Sequence, residues 1–112
     1  MIIESLVIQY LNDHLNVPAY GDVPQNAPSK FIIVEKTSGG RINQINKATL
    51  AVQSYAPTRA EAAELNETVK ETMLGIVELA EIGGCHLNSD YNFTDTAKKQ
   101  PRYQAVFNIT HY

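Results

Sequence analysis

The chain has 112 residues and a formal net charge of -3, nine Lys and Arg against twelve Asp and Glu, which suits one domain with a real core and would starve two. A hydrophobic content of 44% with 19% charged residues is that of a globular protein, and no run approaches the ~18 uninterrupted apolar residues of a membrane span. The mild acidic excess argues against a dedicated nucleic-acid binder, whose phosphate affinity depends on clustered Lys and Arg.

Ile3, Leu6, Val7, Tyr10, Leu11 and Leu15 recur at steps of three and four, so residues 2 to 15 are predicted to form an amphipathic helix that ends at Asn16 before Val17-Pro18. Glu4 stands where a signal peptide would carry positive charge, and no export is expected. Pro18 to Pro28 is rich in proline and small polar residues and predicts an irregular, exposed connection. Phe31 to Thr37 is an apolar, β-branched run too short for a helix and predicts a central strand. Ser38-Gly39-Gly40 is expected to break it. Lys47 to Tyr55 then alternates Ala48, Leu50 and Val52 against Thr49, Ala51 and Gln53, as a half-buried strand does. The pair makes a hairpin whose tip, Ser38 to Asn46, is expected to be too long for a two-residue turn. Ile42 and Ile45 beside Arg41 on that polar tip are a candidate contact surface.

The longest element runs from Thr58 to Glu81. Thr58 precedes Glu61 by three residues, the T-x-x-E spacing of a helix start, and Ala62, Leu65, Val69, Met73, Ile76 and Ala80 form one apolar stripe. Glu61, Glu64, Glu67, Lys70, Glu71 and Glu78 take the solvent positions, and Gly83-Gly84 is expected to end the helix. After it, Leu87, Tyr91 and Phe93 are placed on one face of a strand from Cys85 to Phe93. Tyr103, Ala105, Phe107 and Ile109 alternate with Gln104, Asn108 and Thr110 in the last strand. The basic stretch between them, with Lys98 and Lys99, reads as a mobile hairpin tip. The order α-β-β-α-β-β predicts an α+β domain over residues 1–112, a mostly antiparallel four-stranded sheet with both helices packed on one face.

Chemistry is sparse. His14, His86 and His111 form no metal-ligand spacing, and the lone Cys85 belongs to no catalytic signature; it fits a reducing cytoplasm and a buried strand position. Asp90 to Asp95 resembles the start of a calcium loop, but Asp95 and Pro101 stand where glycine and a bidentate glutamate are required. Gly39-Gly40 lacks the following motif of a phosphate cradle, and the N-x-T triplets at Asn66, Asn92 and Asn108 are chance matches without a secretory route. No enzyme, cofactor or metal is expected. Charge is uneven: six of the twelve acids lie between Glu61 and Glu81, whereas Lys36, Arg41 and Lys47 fall in a stretch without an acid, and Lys98, Lys99 and Arg102 form a second basic group. Such a division suits oriented contact with partners.

Several stretches carry a family resemblance: Val17-Pro-Ala-Tyr-Gly-Asp-Val-Pro24; Lys30-Phe-Ile-Ile-Val-Glu-Lys-Thr37 with Gly39-Gly40; Leu50 through Pro57-Thr-Arg-Ala-Glu-Ala-Ala-Glu-Leu65; and Arg102-Tyr-Gln-Ala-Val-Phe107. In this order, over almost the whole chain, the sequence resembles the tail-terminator, or head–tail joining, group of tail-completion proteins of long-tailed bacteriophages and prophages. The resemblance implies a non-enzymatic structural protein that forms a ring, commonly a hexamer, at the head-proximal end of the tail tube. Its partners would be copies of itself, the tail tube protein and the head connector, with no membrane and no specific nucleic acid; some such proteins stay monomeric until they meet the tube. It would work in the bacterial cytoplasm during assembly and then in the virion. On this reading Arg41, Ile42, Ile45, Lys98 and Lys99 contact protein partners, and Glu64, Glu67 and Glu71 face the channel, where like charge keeps DNA from sticking. The alternatives are a head-completion or minor capsid protein and, from a different class, a small α+β nucleic-acid-binding module.

Overall fold

The structure, a computed structural model, describes residues 2–112. Its elements are α1 (Ile3–His14), β1 (Ala19–Tyr20), β2 (Phe31–Ile42), β3 (Ile45–Tyr55), α2 (Arg59–Leu74), a 3₁₀ helix (Gly75–Glu78), β4 (Ile82–Asn92) and β5 (Arg102–His111). The sheet has the order β1-β2-β3-β5-β4, antiparallel throughout except for β1 against β2. It therefore has five strands where the sequence predicted four. The extra strand is two residues within the proline-rich connection: Pro18 O accepts from Ile32 N at 2.9 Å, and Asn12 fixes Ala19 by hydrogen bonds in both directions. A pairing that short leaves no periodicity to read.

Side-chain alternation sorts the sheet into two faces. Ile32, Val34, Leu50, Val52, Ala105, Phe107 and Ile109 meet Val7 and Leu11 of α1 and Leu65, Val69 and Met73 of α2 in one core, so both helices cover the same face. α1 lies over β1 and β2, and α2 lies over β3, β5 and β4. The open face has a smaller cluster of Phe31, Ile33 and Tyr55 with Tyr20 against it, and Ala51 and Gln53 are buried there too. β3 is thus buried on both faces along most of its length, where the alternation predicted a half-exposed strand.

Three boundaries differ from the sequence reading. First, the hairpin does turn in two residues: β2 runs on through Gly39-Gly40 to Ile42, and Asn43 and Gln44 adopt φ of 51° and 66°, the left-handed pair of a type I′ turn. A bulge between Lys36 and Ser38 absorbs the irregularity. Second, α2 is capped as expected, Thr58 Oγ1 accepting from Glu61 N at 3.2 Å, but it ends at Leu74. A 3₁₀ turn follows, Ile76 is buried, Ala80 is exposed, and Gly83-Gly84 belongs to β4. Third, a bulge between Leu87 and Ser89 switches the parity of β4. Leu87 pairs with Phe107 and Tyr91 with Gln104, so the two lie on opposite faces and both are exposed.

Gln44 holds a left-handed conformation that costs an L-residue with a side chain about 1–2 kcal/mol. Gln44→Gly removes that strain and is expected to raise the unfolding free energy by up to about 1 kcal/mol, read as a higher urea midpoint with an unchanged slope.

Candidate docking surfaces

At the hairpin end of the sheet, Ile42 and Ile45 form the cross-strand pair flanking the turn, 57% and 38% exposed, and Arg41 pairs with Asn46 beside them. The three predicted contact residues are therefore brought together. Beneath them the open edge of β2 continues from Val34 to Ile42, because β1 covers only Ile32 and Ile33. At the other edge β4 is unpaired along its outer side. Exposed strand edges are sites for adding another chain; here Lys36 and the bulges interrupt them.

Lys98 and Lys99 lie at the opposite end, since Tyr55 pairs with Arg102 there while Asn46 pairs with His111 at the hairpin end. Their turn is held together. Asp95 Oδ1 accepts from Ala97 N and Lys98 N, each at 3.1 Å, Asp95 and Gln100 exchange backbone hydrogen bonds, and Lys99 takes a φ of 51°. The expected hairpin tip is thus a turn in which Asp95 accepts from two backbone N–H groups. Lys99 and Arg59 share a shallow hollow of about 530 Å3 with Thr94 and Pro101.

Arg102, the third member of that basic group, is committed to the fold. Its Nε donates to Phe93 O at 2.7 Å, its Nη1 donates to Tyr55 Oη at 2.9 Å, and its guanidinium carbon sits 4.4 Å from the Phe93 ring centroid. From there a directional chain crosses the open face: Tyr55 Oη donates to Gln53 Oε1 at 3.0 Å, Gln53 Nε2 to Gln104 Oε1 at 2.9 Å, and Gln104 Nε2 to Tyr91 Oη. Phe31 stacks on Tyr55 at 4.4 Å. Sequence reasoning passed over this network because glutamines at alternating positions read as solvent-facing; the signal was that Gln53 and Gln104 share a face if the two strands are neighbours.

Glu64, Glu67 and Glu71 are exposed on α2. Glu67 Oε1 lies 2.7 Å from Lys70 Nζ, whose other partner, Asp90 Oδ2 at 3.1 Å, ties α2 to β4. Hydrogen bonding to Glu67 and then Asp90 raises the Lys70 pKa. Burial and, less, the charge of Glu78 raise that of Tyr10. The surface is thus basic at both ends of the sheet and acidic along the second helix.

Among the described residues no group of His, Cys, Asp and Glu could hold a metal ion, and no helix is long and apolar enough to cross a membrane. Cys85 is buried, which pushes its thiol up to about 11, so little thiolate exists near neutrality to act as a nucleophile. No protein-family model matches the chain, and no curated protein matches it.

Two measurements check these placements. Gln104→Ala strands the Gln53 amide and the Tyr91 hydroxyl, and is expected to cost about 1–3 kcal/mol in urea unfolding. Cys85 is expected to resist iodoacetamide at pH 8 in buffer and to react readily in denaturant. The sign of the linked effect follows: the unfolded thiol ionises from pH 9.0 while the folded one keeps its proton to about 11, so this contribution is intact below pH 9 and is lost as pH rises through that window.

Proposed function

We propose that this protein is a structural assembly component of a bacteriophage or prophage, one that caps the tail tube as a ring of identical copies and joins tail to head. The observation that carries the reading is the hairpin end, where a two-residue turn presents Ile42 and Ile45 to solvent next to Arg41. Exposed apolar side chains beside a cation are what a protein contact uses, and a tight turn leaves little backbone freedom to lose when they are covered. Closing a ring needs one patch of each copy to meet a different patch of the next. The basic sheet ends and the acidic α2 are unlike surfaces on one protomer, and the open edges of β2 and β4 add a second unlike pair. In this arrangement Arg41, Ile42 and Ile45 meet the tube or the neighbouring copy, Lys98 and Lys99 serve a second contact, and Glu64, Glu67 and Glu71 line the channel. The protein performs no catalysis on this reading.

Arg41→Glu combined with Ile42→Ser reverses the charge and removes the apolar contact without touching either core. Binding to purified tail tubes, followed by co-sedimentation, is expected to weaken at least about tenfold, equivalent to about 1.4 kcal/mol. Native mass measurement with and without tubes reads the ring directly. Unchanged co-sedimentation by the double variant would remove the hairpin end from the interface.

A further inference from the structure

We propose that the β2–β3 hairpin tip of one copy docks on an apolar, acid-rimmed patch at the C-terminal end of α2 of a second copy. The inference rests on the assembly reading and names the surface that receives Arg41, Ile42 and Ile45.

The patch follows from how α2 ends. The helix passes into the 3₁₀ turn Gly75–Glu78 with Leu74 still helical, at φ -64° and ψ -24°. At about three residues per turn, side chains three apart lie above one another. Met73 and Ile76 accordingly share the inner side and are fully buried, whereas Leu74 and Val77 share the outer side and are 51% and 49% exposed. The 3₁₀ helix packs on β4. Leu87, which pairs with Phe107 and so lies on the helix-covered side of that strand, is exposed as well.

Carboxylates rim this patch. Glu71 stands three residues before Leu74, Glu78 directly after Val77, and Glu81 four residues after it; all three are exposed. Among the described residues none of them pairs with a lysine or arginine, Glu78 facing only His14 at 3.5 Å. The hairpin tip carries the complement: two exposed isoleucines and Arg41, which has no ion-pair partner among the described residues. Apolar side chains meeting at the centre with opposite charges at the rim select each other over like-charged surfaces.

Position turns this match into a closing contact. Asn46 and Ile82 both pair with His111, so the hairpin tip and the start of β4 lie at the same end of the sheet. They stand on opposite flanks, because β4 is two strand spacings, about 10 Å, beyond β3. A tip on one flank and its receiving patch on the other join copies side by side with the same end up, a heterologous contact that repeats around an axis. Glu71 then borders both this contact and the channel side. The apolar residues involved are few, well short of the roughly 800 Å2 that each partner of a stable complex buries, so the contact gains strength when a ring holds every copy by two of them.

The test is disulfide trapping between two variants, Ile45→Cys and Val77→Cys, mixed in equal amounts with oxidised glutathione, alone and on purified tail tubes. Cys85 is buried and stays out of the exchange. The mixed pair is expected to form at least about tenfold faster than either self-pair, and than Ile45→Cys with Val23→Cys, an exposed position outside the patch. Arg41→Glu added to the Ile45→Cys chain is expected to slow trapping, and Glu78→Arg with Glu81→Arg in the Val77→Cys chain to restore it. Native mass measurement on tubes reads assembly separately. Copies that gather on tubes while mixed and self-pairs trap at equal rates, or while trapping ignores both charge changes, would overturn this contact and leave the assembly reading standing. Copies that neither trap nor gather on tubes would overturn both.

Discussion

The register between β3 and β5 is the constraint on which the rest of this structure depends. It runs without interruption from Asn46↔His111 to Tyr55↔Arg102, whereas the pairings on either side, β2 with β3 and β4 with β5, each carry at least one bulge. That ladder fixes which side chains share a face. With Leu50 opposite Phe107 and Val52 opposite Ala105, the apolar set meets the helices; with Gln53 opposite Gln104, the amides meet each other on the far side. A slip of β5 by one residue would carry Phe107 out of the core, bury Gln104 beneath α2 and break its bond to Gln53. The bulges can be accommodated in the outer strands because the central ladder already determines the parity.

What was legible in the sequence follows from how local each signal is. The Thr58 cap involves residues three apart, and it is present as read. The alternation of Tyr103 to Ile109 was likewise plain, because β5 has no bulge against β3 and Ala105, Phe107 and Ile109 on its helix-covered face are all apolar. Glycines misled in both directions. Gly39-Gly40 reads as a break, yet it lies within β2, where the missing side chain admits Lys36. Gly83-Gly84 reads as a helix end, yet α2 stops nine residues earlier than Gly83 (83 minus 74) and the pair sits in β4 against Thr110. The real turn, Asn43-Gln44, carries only one of the two residue types that favour left-handed φ, so its hairpin signal was weak.

The candidate surfaces divide on the same principle. Exposure of Ile42, Ile45 and Arg41 could be read from a polar stretch between two strands, because it needs only the local pattern. The chain from Tyr55 through Gln53 and Gln104 to Tyr91 could not, because it joins side chains of β3, β5 and β4 that only the antiparallel return of β5 between the other two strands brings together.

The two basic ends of the sheet also illustrate why a count of cations says little about binding. Arg102 has its Nε and Nη1 engaged with Phe93 O and Tyr55 Oη and its plane against an aromatic ring, so its charge closes the seam between β4 and β5 and is largely spent within the fold. A guanidinium fixed in that way can add to the field of the surface, but its orientation is already set by contacts within the fold. Lys36 and Lys47 make no ion pair among the described residues, so their charge stays available at the surface.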